Sequence, residues 1–192
     1  MIFDNLDKLN LLLKIRKMRP IIFILFCAFH LSSWAQIDDY HKDILNMMTL
    51  RGDEVAFSLD YHDVFPKLKR NFAKNNIDPA AWKTLQQDET QAVNEIMQQS
   101  AYAYRKFLSR EEINELSIFY SRSAGQKHAI GAELNAQEQN EVKEFFKTNT
   151  GLKYLNKSDS INMTLDQIKT QWSVVLFKQK MKELIKGGHL KN

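Results

Sequence analysis

From residue 36 onward, apolar residues recur at intervals of three and four, the spacing of one helix face, with no sustained apolar–polar alternation. β-branched residues are sparse in the same stretch. The pattern predicts an all-α fold: a single compact bundle of five to seven helices, some short, over residues 36–190. Asp38 or Asp39 is placed to cap a first helix running to Leu50, with Gly52 as its stop. A second helix from Asp53 sets Val55, Leu59, His62, Phe65, Leu68 and Phe72 along one side. Pro66 inside it removes an amide donor and should kink or divide it. Asp78-Pro79 reads as an N-cap followed by proline at the first helical position. That third helix is expected to run through Trp82, Leu85, Val93, Ile96, Met97 and Tyr104 to about Lys106. The last helix, about Ser160 to Lys186, carries Ile161, Leu165, Ile168, Trp172 and Val175 before its stripe drifts to Phe177, Met181 and Leu184.

Between these lies an internal repeat with an offset of 26 residues. Laying 108–129 over 134–155 pairs Leu108 with Leu134, Glu112 with Glu138, Asn114 with Asn140 and Glu115 with Glu141. It also pairs Phe119 with Phe145, Gly125 with Gly151 and Lys127 with Lys153. Each copy opens on a capping box, Ser109 with Glu112 and Asn135 with Glu138. The aromatic pairs Phe119-Tyr120 and Phe145-Phe146 are expected to anchor each helix end in the core. Ser123 and Asn149 are placed to cap the next helix, with Gly125 and Gly151 permitting close packing behind the cap. Two copies are too few for a solenoid.

The segment Phe119-Tyr120-Ser121-Arg122-Ser123-Ala124-Gly125-Gln126-Lys127, preceded by Phe107-Leu108-Ser109-Arg110-Glu111-Glu112, resembles the signature of the bacterial domain-of-unknown-function family 2059. Ile44-Leu45 to Leu50-Arg51-Gly52 and the helix holding Pro66 are similar to that family's N-terminal helices. The likeness covers about Tyr40 to Trp172. It departs from the family pattern at Ala124 and Thr150, where proline is usual, and either repeat copy fits the motif. The resemblance implies a small exported helical protein and carries no catalytic residues with it.

The first 35 residues look like an address. Lys14, Arg16, Lys17 and Arg19 precede the apolar run Ile21 to Leu31, and Ser33-Trp34-Ala35 follows it. A basic region, a short apolar run and a small-x-small site make a secretory signal peptide over 1–35, cleaved between Ala35 and Gln36, with Met18 as an alternative start. The run is shorter than the roughly 20 residues a membrane span needs. Cys27 follows Phe26 within it, which does not suit lipidation.

This address changes how composition reads. The whole chain has 192 residues, 27 Lys+Arg, 23 Asp+Glu and a net charge of +4. Residues 1–35 hold five of the basic and two of the acidic side chains, leaving 22 and 21 in the remainder. The mature chain is therefore near neutral and has no cysteine. Nucleic acid is not indicated as a partner, and thiol chemistry is excluded there.

Candidate chemistry is thin. No nucleophile elbow, phosphate loop or dinucleotide fingerprint is present, so no catalytic and no cofactor-binding residue is assigned. His41 and His62 share an Asp-Tyr-His core and would meet on a metal only if their helices converge; otherwise His62 is a core-edge histidine and His41 a surface one. No metal site is assigned. The aromatic residues Phe57, Phe65, Phe72, Trp82, Tyr102 and Tyr104 either line an apolar cavity or, as their helical spacing suits, fill the core. Lys169, Lys178, Lys180, Lys182, Lys186 and Lys191 make the C-terminal end basic, a solvated face or at most a peripheral membrane contact. The expected function is that of a non-catalytic periplasmic or secreted envelope protein acting through contacts with another protein or itself. A carrier of a lipid or other apolar ligand is the alternative, and a metal-dependent enzyme a second one.

Overall fold

The structure, a computed structural model, describes residues 38–188, so the leader, its Ala35–Gln36 junction and Lys191 lie outside the described residues. These residues form an all-α bundle: seven helices of eight residues or more, two shorter ones, and no strand among the described residues. In chain order they are α1 (Asp39–Arg51), α2 (Asp53–His62), α3 (Val64–Asn71), α4 (Pro79–Thr84) and α5 (Glu89–Arg105). There follow α6 (Arg110–Tyr120), α7 (Ser123–Ala129), α8 (Ala136–Phe145) and α9 (Asn149–Lys186).

α1 sits at the centre. Its Ile44, Met47 and Met48 are fully buried, packed chiefly between α5 and α6. Gly52 ends it with φ +94°, a left-handed conformation that glycine adopts without penalty. The chain divides again at Asp63, which places Pro66 in the first turn of α3. Amides of a first turn have no intrahelical partner, so proline loses nothing there. Asp78 caps α4 by accepting the Ala80 amide at 2.8 Å, with Pro79 first in the helix.

Three expectations about these helices are corrected. The segment from Pro79 to Arg105 is not one helix, because the chain turns over residues 85–88. Asp88 in that turn accepts Tyr61 Oη at 2.6 Å and Lys180 Nζ at 2.6 Å, and these bonds tie the turn to α2 and α9. On α2 the buried side is Tyr61 with partly buried Phe57, while Val55 is 67% exposed and Leu59 and His62 also face outward. α9 begins eleven residues before the expected start, at Asn149, and its buried stripe passes through Leu176 while Val175 is exposed. α9 packs along α5, α3 and α6, closing the bundle. No helix among the described residues is long and apolar enough to cross a membrane.

Candidate functional site

The repeat motif is a structural device, built from caps inward. Both capping boxes form. The Glu112 amide donates to Ser109 Oγ at 3.3 Å and the Ser109 amide to Glu112 at 2.7 Å. The Glu138 amide donates to Asn135 Oδ1 at 2.9 Å and the Asn135 amide to Glu138 at 3.0 Å. Behind each aromatic pair a glycine admits the preceding helix end. A Cβ on Gly125 would stand 2.2 Å from the Phe119 carbonyl oxygen, and one on Gly151 would stand 2.2 Å from that of Phe145. The caps themselves differ from expectation. Ser123 and Asn149 are the first residues of α7 and α9, not their caps. α9 is capped by Thr148, whose Oγ1 accepts the Gly151 amide at 3.1 Å, and Arg122 precedes α7 without a side-chain cap. Ser123 instead donates to Glu138 Oε1 at 2.7 Å.

The two copies embrace each other. Lys127 of the first reaches Glu138 of the second, Nζ to Oε1 at 2.7 Å, and Lys153 of the second reaches Glu112 of the first at 2.8 Å. His128 packs on Phe146, ring centroids 5.2 Å apart, and the corresponding pair in the opposite direction is Tyr154 and Tyr120, whose hydroxyls interact electrostatically. Phe119 stacks on Phe145, its own equivalent, with centroids 4.0 Å apart and planes 7° from parallel. Contacts that run both ways, i to j and j to i, define a two-fold relation; stacked tandem repeats would show one direction only. The repeat is therefore a local pseudo-two-fold pair.

These pairs fix the charge states of the capping acids. Lys127, the Asn135 amide and Ser123 hold the Glu138 carboxyl down to about 2. Partial burial pushes Glu112 up, but Lys153 and the Ser109 amide outweigh it and hold it below the usual carboxylate range. Lys127 and Lys153 thus brace the two copies against each other.

On the pseudo-axis lies a cleft of about 410 Å³ between α6 and α8. Repeat-equivalent residues face each other across it: Glu115 with Glu141, and Phe119 with Phe145 at its floor. Ile118, 57% exposed, and Glu144 form another equivalent pair on the walls, with Arg122 and Thr148 at its end. Glu144 is held by Lys147 at 2.6 Å, which lowers its pKa, and Glu141 accepts the Gln137 amide at 3.2 Å. An apolar floor inside a polar, exposed rim is the anatomy of a protein-binding surface.

The other candidate residues are placed differently. His41 is buried, 4% exposed, its Nε2 2.7 Å from Gln98 Oε1 and its ring tilted against Tyr102. His62 is the exposed one, 3.1 Å from Glu89. Their partners stand nine residues apart on α5, about 13 Å along the helix, so the two histidines do not converge. Among the described residues no group of three or more His, Cys, Asp or Glu is arranged for a metal ion. Phe65 and Tyr104 are buried, Phe57, Phe72 and Trp82 pack on the core, and Tyr102 is exposed; none of them lines the cleft.

Two polar clusters escaped the sequence reading. Arg51 forks onto Asp53 at 2.6 and 2.8 Å, donates to Tyr154 Oη at 3.0 Å and lies over the Tyr104 ring. Burial pushes the Tyr104 and Tyr120 hydroxyls upward, keeping both neutral. Lys180, expected on a solvated face, is 1% exposed and bonded to Asp88 at 2.6 Å and Glu183 at 3.3 Å. The burial of this lysine has no local sequence signal, because Asp88, the carboxylate it meets at 2.6 Å, lies 92 residues away, and the i,i+3 neighbour Glu183 reads equally well as an exposed helix pair.

Comparison with protein-family models, with curated proteins and with solved structures gives no match.

Proposed function

We propose that this chain is a non-catalytic, exported helical protein that acts by docking a protein partner at the cleft between its two repeat copies. The observation that carries the reading is the cleft itself, an aromatic floor of Phe119 and Phe145 within a rim of exposed polar residues. Interfaces of this kind place apolar anchors centrally and polar groups around them. The strongly paired acids and bases, Glu112 with Lys153, Glu138 with Lys127 and Asp88 with Lys180, are engaged in bracing helices. Export to the periplasm or beyond is supported by the basic, apolar and small-x-small segments that end at Ala35. The likeness to family 2059 over the Phe119 to Lys127 motif belongs to the same reading.

The test is site-specific photocrosslinking in cells, with a photoreactive residue replacing exposed Ile118 and, as a control, exposed Val174 on α9. A discrete protein adduct from position 118 and not from 174 is expected. No adduct from 118, or the same adducts from both, would overturn the reading. Sedimentation of the purified chain then distinguishes a foreign partner from a second copy.

A further inference from the structure

We infer that the cleft on the repeat axis docks a basic segment of its partner, an aromatic or branched aliphatic side chain flanked on both sides by Lys or Arg. This deepens the docking reading above and rests on it.

The pseudo-two-fold dictates the shape of the site. It sets two equivalent carboxylates, Glu115 and Glu141, on opposite walls above one stacked aromatic floor. A single apolar side chain fits over that floor, and basic groups on either side of it then meet one carboxylate each. The lining residues carry three carboxylates against one guanidinium, Arg122. Of the three lining carboxylates Glu144 already has Lys147, and Glu115 and Glu141 have no cation within ion-pair distance among the described residues. A docked cation on each of them would extend the pattern seen at Glu112 and Glu138, each of which is matched by a lysine of the other copy.

A peptide suits the site better than an enclosed small molecule. Glu115, Asn140, Glu144 and Thr148 are exposed at the rim, so the cleft is reached laterally and covers only one side of its occupant. Small-ligand sites instead bury most of the ligand surface. Complementary charge at such a rim steers encounter and selects the partner more than it adds affinity.

The full chain, isotope-labelled, is titrated with the capped peptide Lys-Ala-Phe-Ala-Lys and observed by NMR. Two controls replace both lysines with glutamate or the phenylalanine with alanine. Shifts centred on Ile118, Phe145 and Thr148 are expected, with each control about fivefold weaker or worse. The double variant Glu115→Gln/Glu141→Gln should bind the basic peptide about fivefold more weakly, since each exposed pair contributes modestly. Both residues lie outside the core, so its melting curve should match that of the parent.

Equal binding of the acidic peptide, shifts centred elsewhere, an unaffected double variant, or no binding at all would each overturn the inference. Crosslinking at position 118 reports separately. An adduct there with no peptide binding keeps the docking reading and rejects the basic segment; failure of both rejects both.

Discussion

Phe119 and Phe145 occupy the same position in the two repeat copies and stack face to face, 4.0 Å between ring centroids and 7° between planes. Where two copies touch through contacts that run in both directions, equivalent residues meet on the two-fold axis between them. The Lys127–Glu138 and Lys153–Glu112 pairs, one in each direction, lie on either side of that axis. The relation turns a weak sequence repeat into a built object, with one floor, two matched walls and a cleft between them. It also explains why both copies keep the Glu and the Lys: each residue serves the other copy's partner.

The close approach behind each aromatic pair makes Gly125 and Gly151 sensitive positions. Gly125→Ala and Gly151→Ala put a methyl 2.2 Å from a backbone oxygen that no rotamer can move. Each should lower the unfolding free energy by about 2–3 kcal/mol, measured by urea denaturation. Gly131→Asn is the control: its φ is +67° with open space around the Cβ, and asparagine tolerates that conformation. A Gly151→Ala variant as stable as the parent would contradict the packing described.

Glu138 predicts a pH signature. Its folded pKa, about 2, lies below the ordinary 4.5, so its stabilisation is fully present above pH 4.5 and is lost as pH falls toward 2. Glu138→Gln should melt several degrees lower than the parent at pH 7. The gap should close between pH 4.5 and 2, as the parent's carboxylate takes up a proton. A gap that persists unchanged at pH 2 would remove the charge from the explanation.

Local rules carried most of the helix plan, and tertiary contacts decided the rest. Gly52, Asp78-Pro79 and both capping boxes are signals read within four residues, and each marks a helix end where expected. On α2 two apolar faces compete, Val55 with Leu59 against Phe57 with Tyr61, and periodicity alone cannot rank them. Tyr61 wins because its hydroxyl finds Asp88, a partner 27 residues away. The same bond holds the turn between α4 and α5, and buried His41 is likewise bonded to Gln98, which lies on another helix. The glycines and aromatic pairs of the candidate site were legible from the repeat. The cleft was not, because its walls meet only through the two-fold.

The histidines give a direct check on that difference. His62→Ala removes an exposed side chain paired with Glu89 and should change stability by less than about 0.5 kcal/mol. His41→Ala empties a buried site and leaves Gln98 without its partner at 2.7 Å, an expected loss of about 1–3 kcal/mol. Thermal melts of the two variants side by side decide the matter, and the opposite order would restore the placement expected from sequence.

Lys180 is the most exacting case. Its ammonium is buried between Asp88 and Glu183, and Asp88 also accepts Tyr61. Partial burial pushes the Asp88 carboxyl up, but the bonds from Lys180 and Tyr61 prevail and hold it below its usual range. Lys180→Met keeps an apolar stem in α9's buried stripe and removes the charge, leaving Asp88 with Tyr61. Breaking one side of a buried pair strands the other, so a loss of about 2–4 kcal/mol is expected by chemical denaturation. Lys180→Met with Asp88→Asn leaves only Glu183, whose side chain is 40% exposed and reaches water, without its cation, and should recover a substantial part of the loss. A double variant no more stable than Lys180→Met would mean that the lysine acts through packing, and that the turn at 85–88 is held by Tyr61 without it.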